Sequence, residues 1–250
     1  GLSVNTVAND EMESNPGWTV GAPGDTASTG VWTRVNPNGT GAQPEDDHTP
    51  AGSQCWVTGQ GSPGGSDGEN DIDGGGTSLI SPVYDMSASA APTISYWRWF
   101  YSTSNSDTLV VSISNNGGGS WIQIETLNGS SSEADGGWYE HSFSVADYVA
   151  PTATVQLRFT AGDYGNGSIV EAAVDDLTIN DVECDSCDSV NYCSTSPNSN
   201  GGGALIGSNG SASVTGNSFF LEVTAASSSQ NGLFYYGPNQ VNLPFGDGFR

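Results

Sequence analysis

The amino-acid sequence predicts an all-β fold, an antiparallel β-sandwich of jelly-roll type followed by a short C-terminal β module. Three observations carry that expectation. Short runs of alternating apolar and polar residues recur with turn residues between them, as half-buried strands require. Glycine fills 35 of the 250 positions beside seven Trp, nine Tyr and eight Phe, a composition of many turns around an aromatic core. No segment shows helical periodicity beyond a single turn near Ser144–Tyr148, and no βαβ alternation appears, which among layered architectures leaves the sandwich.

The strand-like runs are, in order, Gln54–Val57, Ser78–Ile80, Thr93–Tyr101, Asp107–Ser114, Trp121–Thr126, Trp138–Ser144, Thr154–Thr160, Ile169–Ala173 and Leu177–Ile179. In "ATVQLRFTA" Val155, Leu157 and Phe159 share one face while Gln156, Arg158 and Thr160 share the other, the pattern of a strand buried on one side. Two alternating runs flank Asn115–Gly119 and predict a hairpin. After Ile179 the character changes. Residues 1–182 read as the sandwich, 183–200 as a polar linker bearing cysteines, and 201–250 as part of a second β module. That last stretch offers too few strands to close a sandwich alone.

Charge narrows the function. The chain has 28 acidic residues, four arginines and no lysine, for a formal net charge of −24. Nucleic acid is excluded as a partner, because phosphate binding needs cations to replace released counterions. Anionic membrane surfaces are excluded for the same reason, and no apolar run is long enough for a transmembrane helix. The charge favours solubility and divalent cations. No signal-peptide pattern stands at Gly1, so an exported protein is expected here as a mature or excised portion.

Two acidic stretches are candidate calcium sites, since a hard cation wants six to eight oxygens from carboxylates, amides and carbonyls. In "GENDIDGG" Glu69, Asn70, Asp71 and Asp73 alternate before a glycine pair. An EF-hand loop needs a glutamate at its twelfth position, and counting from Glu69 that position is Ile80; the site, if calcium, is of another kind. In "QPEDDH" Glu45, Asp46 and Asp47 adjoin His48, and a bound cation is the usual relief for carboxylates so close. The bland alternatives are solvated acidic turns.

Zinc chemistry finds little material: His48 and His141 are the only histidines, and no HExxH motif occurs. With no lysine and two histidines, general bases are scarce, and a non-catalytic role is expected. Cys184, Cys187 and Cys193 crowd into ten residues, where Cys193 can pair with Cys184 or with Cys187, leaving one over. Cys55, beside Trp56 in a strand, is expected as a buried thiol.

Aromatic residues concentrate in "SYWRWFY". Alternation places Tyr96, Arg98 and Phe100 on one face and Trp97, Trp99 and Tyr101 on the other. One face must be core. The other can stack sugar rings, or can pack as core too. Trp18, Trp32, Trp56, Trp121 and Trp138 sit near turns, where one or two can be exposed.

Five blocks in order, "MESNPGWTVGAPGDTASTGVWTRVNPNGT", "AQPEDDHTPAGSQCWVTGQGSPGG", "ENDIDGGGTSLISPVYDMS", "ISYWRWF" and "VEAAVDDLTI", resemble the MAM-like, carbohydrate-module-like jelly-roll domain of exported bacterial proteins, as appended to secreted metallopeptidases. The tail, with "YCSTSPNSNGGGALIGSNGSASVTGN", "GLFYYGP" and "LPFGDGF", resembles a C-terminal repeat of planctomycete-type exported proteins. The first resemblance implies a structural calcium between the first and last strands, which maps here to Glu11 or Glu13 and to Asp175 or Asp176. It implies an extracellular accessory module of a larger secreted or surface protein. Carbohydrate or an extracellular-matrix ligand is then the expected partner, with Trp97, Trp99 and Tyr101 as the ligand-binding rings and other domains or copies of the chain as neighbours. A structural or adhesive self-assembling role is the alternative, and a fragment of a secreted peptidase or glycoside hydrolase a further one.

Overall fold

The computed structural model describes residues 2–165, 167–184, 197–199, 201–210, 218–229, 244–245 and 248–249. The chain divides into two compact units, Gly1–Asp185 and Ser186–Arg250. In the first unit the strands are β1 (Leu2–Asp10), β2 (Thr19–Val20), β3 (Trp32–Val35), β4 (Cys55–Thr58), β5 (Gly75–Ile80), β6 (Pro92–Ser102), β7 (Thr108–Ser114), β8 (Ile122–Asn128), β9 (Asp135–Ser144), β10 (Gln156–Asp163) and β11 (Val170–Cys184). A 3-10 turn, Val145–Asp147, follows β9, at the one place where the sequence offers a helical turn.

The strands form two antiparallel sheets. One has the order β3-β4-β11-β6-β9 with β1 also beside β11, and the other runs β2-β5-β10-β7-β8. The all-β, antiparallel expectation therefore holds, and among the described residues no helix is long and apolar enough to cross a membrane. The hairpin expected around Asn115–Gly119 joins β7 to β8. Gly117 and Gly118 both take positive φ there, at 65° and 84°, a conformation that glycine adopts without steric cost.

The alternation read in the sequence decides which side chains meet. Leu157, Phe159 and Ala161 of β10 are wholly buried between the sheets, with Leu109, Val111 and Ile113 of β7, Ile94, Tyr96 and Phe100 of β6, and Val170, Val174, Leu177 and Ile179 of β11. Tyr96 and Phe159 meet edge to face with ring centroids 4.9 Å apart, the arrangement that ring quadrupoles favour.

Three features of the fold are not visible in the sequence. Strands β1 to β3 lie in a stretch with weak alternation. Val4, Asn5 and Thr6 of β1 are exposed, so this part carries little hydrophobic pattern to read. The runs expected as separate strands at Ile169–Ala173 and Leu177–Ile179 are one 15-residue strand, β11. The acidic pair between them makes a bulge at Asp175 to Thr178, with Asp176 at φ 49°. Pairing continues on both sides of it, so the pattern is broken but the strand is not. The third is the charge inside the sandwich. Arg98 is only 3% exposed. Its Nε and Nη2 donate to Glu125 Oε1 and Oε2, each at 2.9 Å, and Nη2 donates to Glu133 Oε2 at 2.6 Å. The Tyr96 hydroxyl donates to Glu125 Oε1 at 2.6 Å. Glu125 belongs to β8 and Arg98 to β6, so this network ties the two sheets together.

The second unit contributes a hairpin of β12 (Leu205–Asn209) and β13 (Phe220–Thr224), and a short pair, β14 (Pro244–Phe245) with β15 (Gly248–Phe249). Cys187 and Cys193 lie outside the described residues, and Cys184 is described in its backbone alone, as the last residue of β11.

Removing one partner of a buried, hydrogen-bonded ion pair strands the other charge, at a cost of about 3–5 kcal/mol. Glu125→Ala is therefore expected to lower the urea-unfolding free energy by about that amount, against at most about 0.5 kcal/mol for the neighbouring exposed change Thr126→Ala. Equal effects from the two would show that the network carries no stability.

Candidate functional site

The bulge of β11 gathers acidic residues from three parts of the chain. Asp175, wholly buried, accepts the His48 N–H at 2.8 Å and the Thr49 N–H at 3.3 Å on Oδ2. Asp176 accepts Thr49 Oγ1 on one oxygen and meets His48 Nδ1 on the other, both at 2.5 Å. Glu13, just after β1, accepts the Ser53 and Gln54 N–H groups at 2.7 and 2.8 Å, and these hold its carboxyl below the usual range. Asp47 stands over Gly52 together with Glu13, so that a Cβ at Gly52 would run into both carboxylates. Burial pushes the Asp47 carboxyl up, and Glu13, Asp176 and Asp46 push it further. Its Oδ2 is buried without a hydrogen-bond partner. Burial likewise raises Asp175 to about 7, with Asp176 and Asp47 adding to the rise.

The structure thus brings together Glu13, Asp47, Asp175 and Asp176, which the sequence offers in three separate stretches. The remaining acids of those stretches point elsewhere. Glu11 accepts from Asn9 at 3.3 Å, Glu45 accepts the Gly39 N–H at 2.9 Å, and Asp46 is exposed. Among the described residues no three or more His, Cys, Asp and Glu side chains stand in an arrangement that would hold a metal ion. The Glu13–Asp47 pair offers two carboxylates and an unpartnered oxygen, and further ligands there must come from main-chain carbonyls or water.

Along residues 68–75 the four polar side chains are engaged by different partners. Glu69 accepts the Ser62 N–H and hydroxyl at 3.1 and 2.8 Å. Asn70, at φ 63°, donates to the Gln60 carbonyl at 3.0 Å. Asp71 accepts the Val170 N–H at 3.2 Å, and burial raises it to about 6. Asp73 accepts from Thr29 Oγ1 at 3.1 Å. The loop is anchored by Ile72, which is wholly buried in the core, so its acids splay around an apolar pin. Near Asp71, Glu171 sits 2% exposed and accepts from Thr58 Oγ1 at 2.9 Å; its burial, with a further push from Asp71, raises it to about 9.

Trp97, Trp99 and Tyr101 point away from the main core, as alternation predicts, and each is half-buried. What covers Trp97 and Trp99 is the chain's own β3–β4 connection, residues 36–54. Trp99 Nε1 donates to the Ala42 carbonyl at 2.7 Å, and Trp138 Nε1 to the Asp46 carbonyl at 3.4 Å. The His48 ring stacks on Trp97 at 3.7 Å, with 15° between the planes. Cys55, Val57 and Ala173 form a second small core there, with Val35, Trp99 and Trp138 against it. Cys55 is a free, buried thiol, as expected.

The outer face of the other sheet is differently furnished. Ser78 and Ile80 of β5, Gln156, Arg158, Thr160 and Gly162 of β10, and Val110 and Ser112 of β7 line it in register. At one end the Tyr164 ring lies on bare backbone. A Cβ at Gly162 would come within 2.6–2.7 Å of that ring, and one at Gly76 within 3.0 Å of its hydroxyl. Tyr164 is 56% exposed, so the ring face opposite the glycines is open to solvent. At the other end the Arg158 guanidinium lies over the Trp121 ring, 4.6 Å from its centre. The two rings stand over β10 positions four residues apart, roughly 13 Å of strand. Tyr164 carries no strand signal, and the sequence places Trp121 only as one of five tryptophans near turns. The glycines at positions 76 and 162, which leave space on the face, are the signal that points to it.

Fold and site together define a β-sandwich module in which the β3–β4 connection lies against Trp97 and Trp99 of one sheet and the Tyr164 ring stands exposed on the other. No family model and no curated protein matches the chain. Among solved structures, the K3 cleaved adhesin domain of Lys-gingipain from Porphyromonas gingivalis is 16% identical, with 71% of this chain and 99% of that one covered and a TM-score of 0.41. TmCBM61 in complex with β-1,4-galactotriose is 10% identical, covering 68% and 91%, with a TM-score of 0.41. A xylan-binding domain from CBM 22 is 10% identical, covering 71% and 94%, with a TM-score of 0.38. Identities and scores this low establish neither shared ancestry nor a shared ligand.

The buried carboxyls set the pH dependence of stability. Asp71, Asp175 and Glu171 have folded-state values raised to about 6, 7 and 9, against about 4 in the unfolded chain. The native state then binds more protons than the unfolded state across that interval, and stability falls as pH rises through it. In chelator, urea-unfolding free energies are expected to decline from pH 4.5 to 9, the window set by Glu171 between its ordinary value of 4.5 and its raised one. Glu171→Gln is expected to flatten the decline above pH 7. A rise in stability across that window would contradict the assignment.

Proposed function

We propose that the first unit is a non-catalytic carbohydrate-binding module, an accessory domain of a larger exported or surface protein, and that its sugar lies on the outer face of the β2-β5-β10-β7-β8 sheet. The supporting observation is the Tyr164 ring, which lies on backbone at Gly76 and Gly162 and is 56% exposed, with the Arg158–Trp121 stack further along β10 and the half-buried Thr160 between them. Pyranose rings present apolar C–H faces and a rim of hydroxyls. The open face of Tyr164 matches the first, and the half-buried polar side chains Thr160 and Arg158 match the second. Trp97, Trp99 and Tyr101 satisfy half of this requirement, but the β3–β4 connection already takes the indole N–H of Trp99 and the face of Trp97.

The expected result by calorimetry against a panel of soluble plant and microbial glycans is binding by the wild-type protein. Tyr164→Ala and Trp121→Ala should each weaken it about tenfold or more, as loss of a stacked ring implies, with little change in melting temperature. Trp97→Ala should instead lower the melting temperature, because it undoes packing. Loss of binding in a folded Trp97→Ala, with Tyr164→Ala unaffected, would move the site to the first sheet.

Calcium belongs to this reading as scaffolding. The buried, unpartnered Asp47 Oδ2 beside Glu13 supports a hard cation there, near the Asp175–Asp176 bulge. Its role would be to neutralise like charges where β1, the β3–β4 connection and β11 converge. Saturating calcium is then expected to raise the melting temperature, with about 2.7 kcal/mol of stabilisation at a hundredfold excess over Kd. Asp47→Asn and Glu13→Gln should each remove the rise. A melting curve identical in calcium and in chelator would overturn this part.

A further inference from the structure

We infer that the glycan bound on this face is acidic, and that Arg158 determines the specificity by pairing with a sugar carboxylate. This inference rests on the preceding assignment of the face to sugar binding. The chain sets 28 acidic residues against four arginines. In such a chain an arginine without an acidic partner needs a reason. Arg98 is bound by Glu125 and Glu133. Arg34 donates to the Met12 carbonyl and to Gln54, near Glu13. Among the described residues Arg158 makes no ion pair. Its cross-strand neighbours are Ile80 and Ser112, and its neighbours along the same face of β10 are Gln156 and Thr160. No acid stands among them.

Its guanidinium is also held in place. It lies over the Trp121 ring, 4.6 Å from the centre, and its Nε is buried without a hydrogen-bond partner. Stacking fixes the plane of the fork and removes much of the rotamer freedom a surface arginine would lose on pairing. A guanidinium fixed beside a stacking ring suits a planar carboxylate carried by a sugar ring, which it can meet through its terminal Nη1 and Nη2 in two parallel N–H···O bonds. A uronic acid supplies both a ring face for Tyr164 and the carboxylate for this guanidinium. The net charge of −24 opposes a polyanion at long range. At physiological salt that repulsion is screened beyond about 8 Å, which leaves the local pairing to decide.

The experiment uses the full chain and pairs of probes: oligogalacturonate, oligoalginate and glucuronoxylan fragments, each beside the same oligosaccharide with its carboxylates reduced to alcohols. Binding is read by calorimetry and folding by melting temperature. The expected result is that at least one acidic form binds about tenfold or more tightly than its reduced form. Arg158→Gln should erase that difference. Arg158→Lys, which keeps the charge but loses the fork, should retain only part of the preference, and it serves as the test if the glutamine variant melts early. Equal binding of acidic and reduced forms overturns the inference while leaving the sugar-binding face standing. A preference that survives in folded Arg158→Gln overturns the role of the arginine. Failure of every glycan, acidic and neutral, overturns both this inference and the assignment of the face.

Discussion

Asp175 holds the first unit's organisation in place. Its carboxylate lies wholly buried in the bulge of β11 and accepts the main-chain N–H groups of His48 and Thr49, residues more than a hundred positions earlier in the chain. That contact fastens the β3–β4 connection to the central strand of the first sheet. Once fastened, the connection spreads over the sheet's outer face, stacks His48 on Trp97 and receives the indole N–H groups of Trp99 and Trp138. The bulge also marks where β4 ends as the neighbour of β11 and β1 begins. One buried carboxylate thereby joins a long connection to the last strand of the first unit and holds that connection against one sheet face.

The abundance of acid has a structural use beyond net charge. A protein with many connections exposes many unpaired main-chain N–H groups, and each must find an acceptor. Carboxylates supply them here. Glu13 takes two N–H groups, Asp25 those of Ala22 and Ser78, Asp107 those of Tyr164 and Gly165, and Asp181 those of Ala90 and Ala91. With no lysine to pair them, these side chains serve as loop caps, and charge-assisted bonds of this sort are stronger than neutral ones. Where the main chain does not satisfy a carboxylate, as at Asp47 Oδ2, burial and the neighbouring acids push the carboxyl up.

The aromatic residues divide by what lies beneath them. Trp18, Trp32 and Trp56, which the sequence places near turns, are buried. In "SYWRWFY" the even and odd positions go to opposite sides as expected. Neither side is free, because a second layer of chain lies over the outward one. Tyr164 follows β10 and carries no pattern of its own, yet among the described aromatic residues of the first unit it is the exposed ring, and the glycines at 76 and 162 let it lie against backbone. A ring becomes a candidate contact surface through the absence of side chains around it, and an absence of that kind is hard to see in a linear sequence.

Taken alone, the sequence determined the class of fold, most strands of the first unit from Cys55 onward, and the division of β6 and β10 into two faces. Those follow from two-residue alternation, a local property in which each residue's side is set by its neighbours. It also supplied Glu13, Asp47, Asp175 and Asp176 as acids of interest, but in three unrelated stretches. The tertiary structure decided which of them meet, what lies against Trp97 and Trp99, and, among the described residues, that Arg158 has no acidic neighbour. These depend on contacts between residues far apart in the chain, such as His48 with Asp175 and Gly76 with Gly162. Such contacts come from the pairing order of the strands, to which alternation is blind.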